Sequence, residues 1–130
     1  MILLIATLLG VRVLNPINII LIYFTLFLFS VFFSALSTMI GLYLSDHDSY
    51  SAVNSMISMP LFFTSSALMP YDVMPSWLRI LARLNPVSYA IDSARMLFEG
   101  GIPVNGIIGL AIGAGIMVLL GTYQFRKAVV

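Results

Sequence analysis

The sequence predicts an all-α membrane protein: a helical bundle with three full transmembrane spans, a partial first span, and a short amphipathic helical hairpin between the last two spans. Composition is the first reason. Of the 130 residues 61% are apolar and 8% charged, against roughly 45–50% and about 25% in water-soluble domains. Distribution is the second. The six basic and five acidic residues leave uncharged runs at 1–11, 13–45, 49–71 and 100–125, and the last three reach the roughly 20 residues that cross a hydrocarbon core about 30 Å thick. Third, charges and turn formers gather in 70–101 without erasing its apolar periodicity.

The same numbers exclude several functions. A net charge of +1 with no Lys/Arg cluster leaves no footprint for nucleic acid, whose phosphates need several grouped cations. With no cysteine and a single histidine, there is no disulfide framework, no thiolate nucleophile and no basis for a metal site, and the sequence offers no metal-binding, cofactor-binding or catalytic residue.

Residues 1–11 are apolar but lack the basic start of a signal peptide. At about 1.5 Å per residue they reach some 17 Å, half a bilayer, and so resemble the end of a span in a fragment or behind a misplaced start. The next span is expected over 16–45, with Asn15 as its cap and Pro16 in its first turn, where the missing donor is not needed. Within it Ser30, Ser34, Ser37, Thr38 and Gly41 recur at steps of three and four, a small-residue stripe suited to close helix packing, with pathway lining as the other reading. Asp46, His47 and Asp48 follow as a tight solvated turn.

A further span, 50–69, is polar for its kind. Ser51, Asn54, Ser55 and Ser58 share a face, either for packing or for contact with something transported, and Pro60 interrupts it midway. Pro70 and Pro75 then bracket a turn. Ser76 can cap a short helix with Trp77, Leu81 and Leu84 at i, i+4 and i+7 and Arg79 and Arg83 elsewhere; Asn85 and Pro86 stop it and start a second. That second helix sets Val87, Ile91, Ala94 and Phe98 on one side, with Asp92 and Arg95 spaced to pair at i+3, before Gly100 and Gly101 end it. Both helices are too short to cross, so they lie at the interface or re-enter partway, with Trp77 and Tyr89 at headgroup depth. The last span, 104–125, carries the step Gly109 to Gly113, which reads as a helix crossing. Arg126 and Lys127 at its end argue for a cytoplasmic C-terminus.

Residues 62–95 read FFTSSALMPYDVMPSWLRILARLNPVSYAIDSAR, which resembles the signature of type 2 ABC export permeases, the group that includes daunorubicin-resistance and polysaccharide-export membrane subunits. The features that match are Phe62 and Phe63, Ser65, Pro70, Pro75 with Ser76 and Trp77, Asn85 with Pro86, Ser88 with Tyr89, and the acidic Asp92 ahead of Arg95. Such permeases usually carry glycine where this chain has Ser66, a departure that bears on how closely the backbone there approaches a neighbour.

The resemblance implies the C-terminal part of a six-span permease domain: 1–14 the end of span three, 16–45 span four, 50–69 span five, 70–101 an external re-entrant helical hairpin, and 104–125 span six. It also implies a second permease copy or paralogue, membrane lipid around the spans, and an ABC ATP-binding subunit. That partner would bind ATP and Mg, since the chain has no Gly-rich phosphate loop ending in Lys and Ser or Thr. The function so implied is the membrane-spanning subunit of an ATP-driven exporter at the plasma membrane, moving a drug, lipid or glycan-type substrate by alternating access and not itself an enzyme. A non-transporting anchor or assembly protein is the alternative. Arg79, Arg83 and Arg95 in an external hairpin run against the usual cytoplasmic excess of Lys and Arg, with Asp72, Asp92 and Glu99 as local partners.

Overall fold

The structure, a computed structural model, describes residues 16–44 and 46–129. The half-span expected at 1–14 and the Asn15 cap lie outside the described residues. The described chain is helical, in the order α1 (Pro16–Gly41), α2 (His47–Phe63), a single 3-10 turn (Tyr71–Val73), α3 (Ser76–Leu84), α4 (Pro86–Phe98) and α5 (Val104–Val129). No strand occurs among the described residues.

Two helices, α1 and the Val104–Lys127 part of α5, are long and apolar enough to cross a membrane. The third full span expected at 50–69 is shorter than that: α2 has 17 residues, about 25 Å at the usual rise. It stops because the hydroxyls after Pro60 turn back on the backbone. Thr64 Oγ1 donates to the Pro60 carbonyl at 2.7 Å and Ser65 Oγ to the Phe62 carbonyl at 2.6 Å, offering the chain an alternative to the next helical turn.

The acidic turn at 46–48 is also revised. His47 and Asp48 form the first turn of α2, and Asp46 caps it by accepting from the amide and hydroxyl of Ser49, each at 3.1 Å. Asp48 then sits where the helix dipole favours a negative charge. Ser76, expected to cap α3, is instead its first residue; the cap position is Pro75, with no side-chain hydrogen bond. Asn85 caps α4 as expected, and Gly100 closes it with φ +87, a conformation that favours glycine.

Packing contacts fix how the helices run. Phe32 lies against Gly113 and Met39 against Gly121, so α1 and α5 are parallel. Ser93 lies against Gly106 and Tyr89 against Gly109, so α4 runs antiparallel to α5. Tyr50 meets Gly41, where α2 turns back along α1. The step from Gly109 to Gly113 thus receives a ring from each of two helices, one from α4 and one from α1.

The core mixes apolar side chains such as Ile22, Phe32, Leu97 and Leu110 with an unusual share of polar ones. Asn18, Thr25, Ser65, Ser66, Asn85, Ser88 and Ser93 are all within the core, while Phe27, Ile112, Ile116 and Leu119 are exposed. On α4 the buried positions are Ser88, Ala90, Ser93 and Leu97, whereas Val87, Ile91, Ala94 and Phe98, expected as its packed side, are half-buried. In lipid no hydrophobic drive brings helices together, so small residues and hydrogen bonds hold much of the contact area, with a few bulky side chains such as Phe32 and Tyr89 seated on glycines and many others facing outward.

Candidate functional site

The end of α2 is open by construction: the last carbonyls of any helix lack intrahelical partners, and in an apolar setting each must be satisfied. Asn85, the cap of α4, supplies a donor to one of them, and Ser88 and Asp92, three and seven residues on, accept from groups in the segment that follows α2. Asn85 Nδ2 donates to the Leu61 carbonyl and to Thr64 Oγ1 (3.0 Å), while its Oδ1 accepts from the Val87 amide at 2.9 Å. Ser88 Oγ accepts from the Ser66 amide at 3.0 Å. The Asp92 carboxylate accepts from Ser66 Oγ at 2.7 Å and from the Tyr71 hydroxyl at 2.6 Å. One side chain at each level of α4 therefore ties α4 to the frayed end of α2.

This seam corrects the role expected for Asp92. Both of its oxygens are engaged by Ser66 and Tyr71, and Arg95 at i+3 is exposed; a short bond to a hydroxyl that needs no reorientation outcompetes a flexible, hydrated guanidinium. Burial, and then the neighbouring Asp92, push the Tyr71 hydroxyl above its ordinary pKa of 10.0, which keeps Tyr71 a donor over the physiological range. Ser66 repays its departure from glycine: it is fully buried, and both its amide and its hydroxyl are used.

The depth of the seam follows from two independent routes. From Tyr50, beside Gly41, to Leu61, beside Asn85, is about 16 Å of helix. From Leu97, whose carbonyl accepts from Asn18 Nδ2 at 2.9 Å, back to Asn85 is about 18 Å. Between Asn18 and Gly41 α1 measures about 34 Å. Both routes put Asn85 and Pro86, the turn of the hairpin, about midway along the long helix.

The remaining hairpin residues are spread along it. Pro70 precedes the 3-10 turn, Pro75 precedes α3, and Trp77 is exposed on α3. Tyr89 packs on Gly109. Ser51, Asn54, Ser55 and Ser58 do not join the seam: they stay exposed or half-buried on α2, which buries none of its residues. On the opposite side of α1 from Asn18, Ile22 and Thr25, the stripe of Ser30, Ser34 and Thr38 lines an open groove of about 420 Å³ shared with Val118, Gly121 and Phe125 of α5. No cluster able to hold a metal occurs among the described residues.

Sequence reasoning missed Asn18, Thr64, Tyr71 and the pair of Ser93 with Gly106. An asparagine among Ile and Leu is costly in lipid and could have marked Asn18 as a bonding residue. Tyr71 and Thr64 gave no such signal, because hydroxyl-bearing residues near a helix end are common.

Residues 1–98 match the family described as ABC-2 type transporter. The chain is 40% identical over 77 residues to transport permease ycf38 of Cyanophora paradoxa, a match covering 59% of this chain and 27% of that protein. The ycf38 permease of Pyropia yezoensis is 39% identical over 64 residues, 49% of this chain and 22% of that one. The daunorubicin resistance ABC transporter permease protein DrrB1 of Streptomyces coeruleorubidus is 26% identical over 89 residues, 67% of this chain and 31% of that one. The chain thus spans under a third of the length of these curated relatives, and no solved structure matches it. With a family match over 98 of its 130 residues and two helices able to cross a bilayer, the chain belongs to the ABC-2 type transporter membrane family.

Proposed function

We propose that the chain forms part of the membrane-spanning permease subunit of an ATP-driven exporter, moving a drug, lipid or glycan-type substrate across the plasma membrane by alternating access. The family match carries this reading. Two features support it. The polar face of α2 and the hydroxyl-lined groove between α1 and α5 are uncovered, surfaces that further spans, a second permease copy or a paralogue would fill. Nor does the sequence contain a phosphate-binding loop, so ATP and Mg belong to an ABC ATP-binding subunit. In this arrangement α2 completes its crossing through the segment after Phe63, the hairpin enters from outside, and the C-terminus is cytoplasmic.

Transport should appear only when a complete permease unit, in two copies or with a paralogue, is joined to its ATP-binding subunit. ATP-dependent accumulation in inverted vesicles measures it, with daunorubicin as the first probe because one relative's name carries it. Accumulation by this chain without an ATP-binding partner would overturn the subunit assignment.

Sidedness is read separately. In a chain without cysteine, Ser49→Cys and Ser76→Cys should react with an impermeant thiol reagent from opposite faces, Ser76→Cys from outside. Reaction of Ser49→Cys from outside would reverse the topology.

A further inference from the structure

The hairpin that re-enters the bundle carries two arginines with it. Helix α3 ends at Leu84, directly before the turn at Asn85 and Pro86 that lies about midway along the long helices. Arg83 is therefore within about 3 Å of rise of that turn, and Arg79 one helical turn before it on α3. They form a ridge at i and i+4, beside a separate stripe of Trp77, Ile80, Leu81 and Leu84 that is 48–73% exposed.

Neither arginine has a carboxylate partner among the described residues. Arg79 donates Nη2 to the Met74 carbonyl at 3.1 Å, and its Nε is buried with no acceptor. Arg83 is exposed. The one acid of the seam, Asp92, is committed to Ser66 and Tyr71. Glu99 stands at the far end of α4, about 21 Å of helix from Asn85. A guanidinium at this depth that faced hydrocarbon unpaired would be strongly disfavoured, so an unpaired one points to a ligand or an aqueous path.

We propose that Arg83, with Arg79 above it, binds the phosphate of an anionic amphiphile whose apolar part lies along Trp77, Leu81 and Leu84. This rests on the reading of the chain as a membrane-spanning permease and names the substrate class that the hairpin receives. Two forked guanidinia one turn apart offer several donors to one tetrahedral group, which a phosphate with its three free oxygens satisfies better than a planar carboxylate. The neighbouring apolar stripe selects an amphiphile over a soluble anion, because it gives acyl or prenyl chains a surface continuous with the headgroup site.

The test uses this chain in neutral maltoside micelles, reading Trp77, its single tryptophan, during titration with short-chain phosphatidylglycerol, phosphatidylcholine or inorganic pyrophosphate. Phosphatidylglycerol should shift Trp77 emission saturably and phosphatidylcholine should not. Arg83→Gln should weaken binding by about tenfold or more, the loss expected for one charge-assisted pair, with Arg83→Lys losing less. Arg126→Gln, at the other end of α5, should bind as the unaltered chain does.

Saturable binding of pyrophosphate with the same dependence on Arg83 would keep the phosphate site and assign it to a soluble anion. Equal response to both lipids, or unchanged affinity in Arg83→Gln, would overturn the proposal. Helix content by circular dichroism checks folding, and Arg79→Gln carries the test if Arg83→Gln unfolds. Since no ATP and no partner enter, a failed binding assay leaves the permease assignment standing, and a failed transport assay leaves this site standing.

Discussion

Replacing Asn85 by alanine should cost about 2–4 kcal/mol of stability, because one buried side chain caps α4 and also serves the frayed end of α2. The cap alone is worth about 1 kcal/mol, and leaving the Leu61 carbonyl without a donor in an apolar setting adds about 1–3. Asn85→Asp separates the two effects: its carboxylate still accepts from the Val87 amide but donates nothing to Leu61. It should therefore recover the α4 cap while leaving the end of α2 open. Thermal unfolding in detergent, read by circular dichroism, gives the stability, and limited proteolysis between Phe63 and Pro70 reports the loosened seam. An alanine variant as stable and as protease-resistant as the unaltered protein would remove Asn85 from the structural account.

A side chain at Gly106 should be the second large effect. Ser93 Oγ occupies the space that a Cβ on Gly106 would fill, and the Tyr89 carbonyl stands 3.5 Å from the same point. Overpacking of this kind costs about 1–3 kcal/mol. Relief would require the Ser93 hydroxyl to rotate to another position within the buried face of an α4 held at Asn85, Ser88, Asp92 and Leu97. Gly106→Ala should destabilise, Gly106→Val more so, and Ser93→Gly should restore most of the loss in Gly106→Ala. Additive losses in the double variant would mean that the contact between α4 and α5 is not made at this point.

Both effects concern the attachment of the hairpin, and the sequence showed the hairpin without showing its attachment. Asn85 and Pro86 announced a stop and a start, and Gly100 announced an end, because caps and left-handed closures depend on residues adjacent in the chain. The partners of Asn85, Ser88 and Asp92 lie more than 20 residues away in sequence, and nothing in local spacing indicates which distant groups they will bond. For that reason Arg95 at i+3 looked like the partner of Asp92. Only the passage of the segment after α2 alongside α4 brought Ser66 and Tyr71 within hydrogen-bond reach instead.

Periodicity misled on α4 for a related reason. Apolar spacing locates a core where water is the surrounding solvent, but between helices in lipid the contacts are chosen by size and hydrogen bonding, so the face of Ser88 and Ser93 is buried in place of the face of Val87 and Ile91. What the sequence determined by itself was the solvent of this protein, its all-helical class, the two long spans, and the positions of the hairpin's caps and turns. These follow from composition and from interactions within one turn of helix. Tertiary structure alone decided that the Leu61 carbonyl and the segment after α2 are tied to Asn85, Ser88 and Asp92, and that the turn of the hairpin lies midway along α1. Each of those depends on which unsatisfied backbone groups meet which distant side chains, and that pairing exists only once the helices have packed.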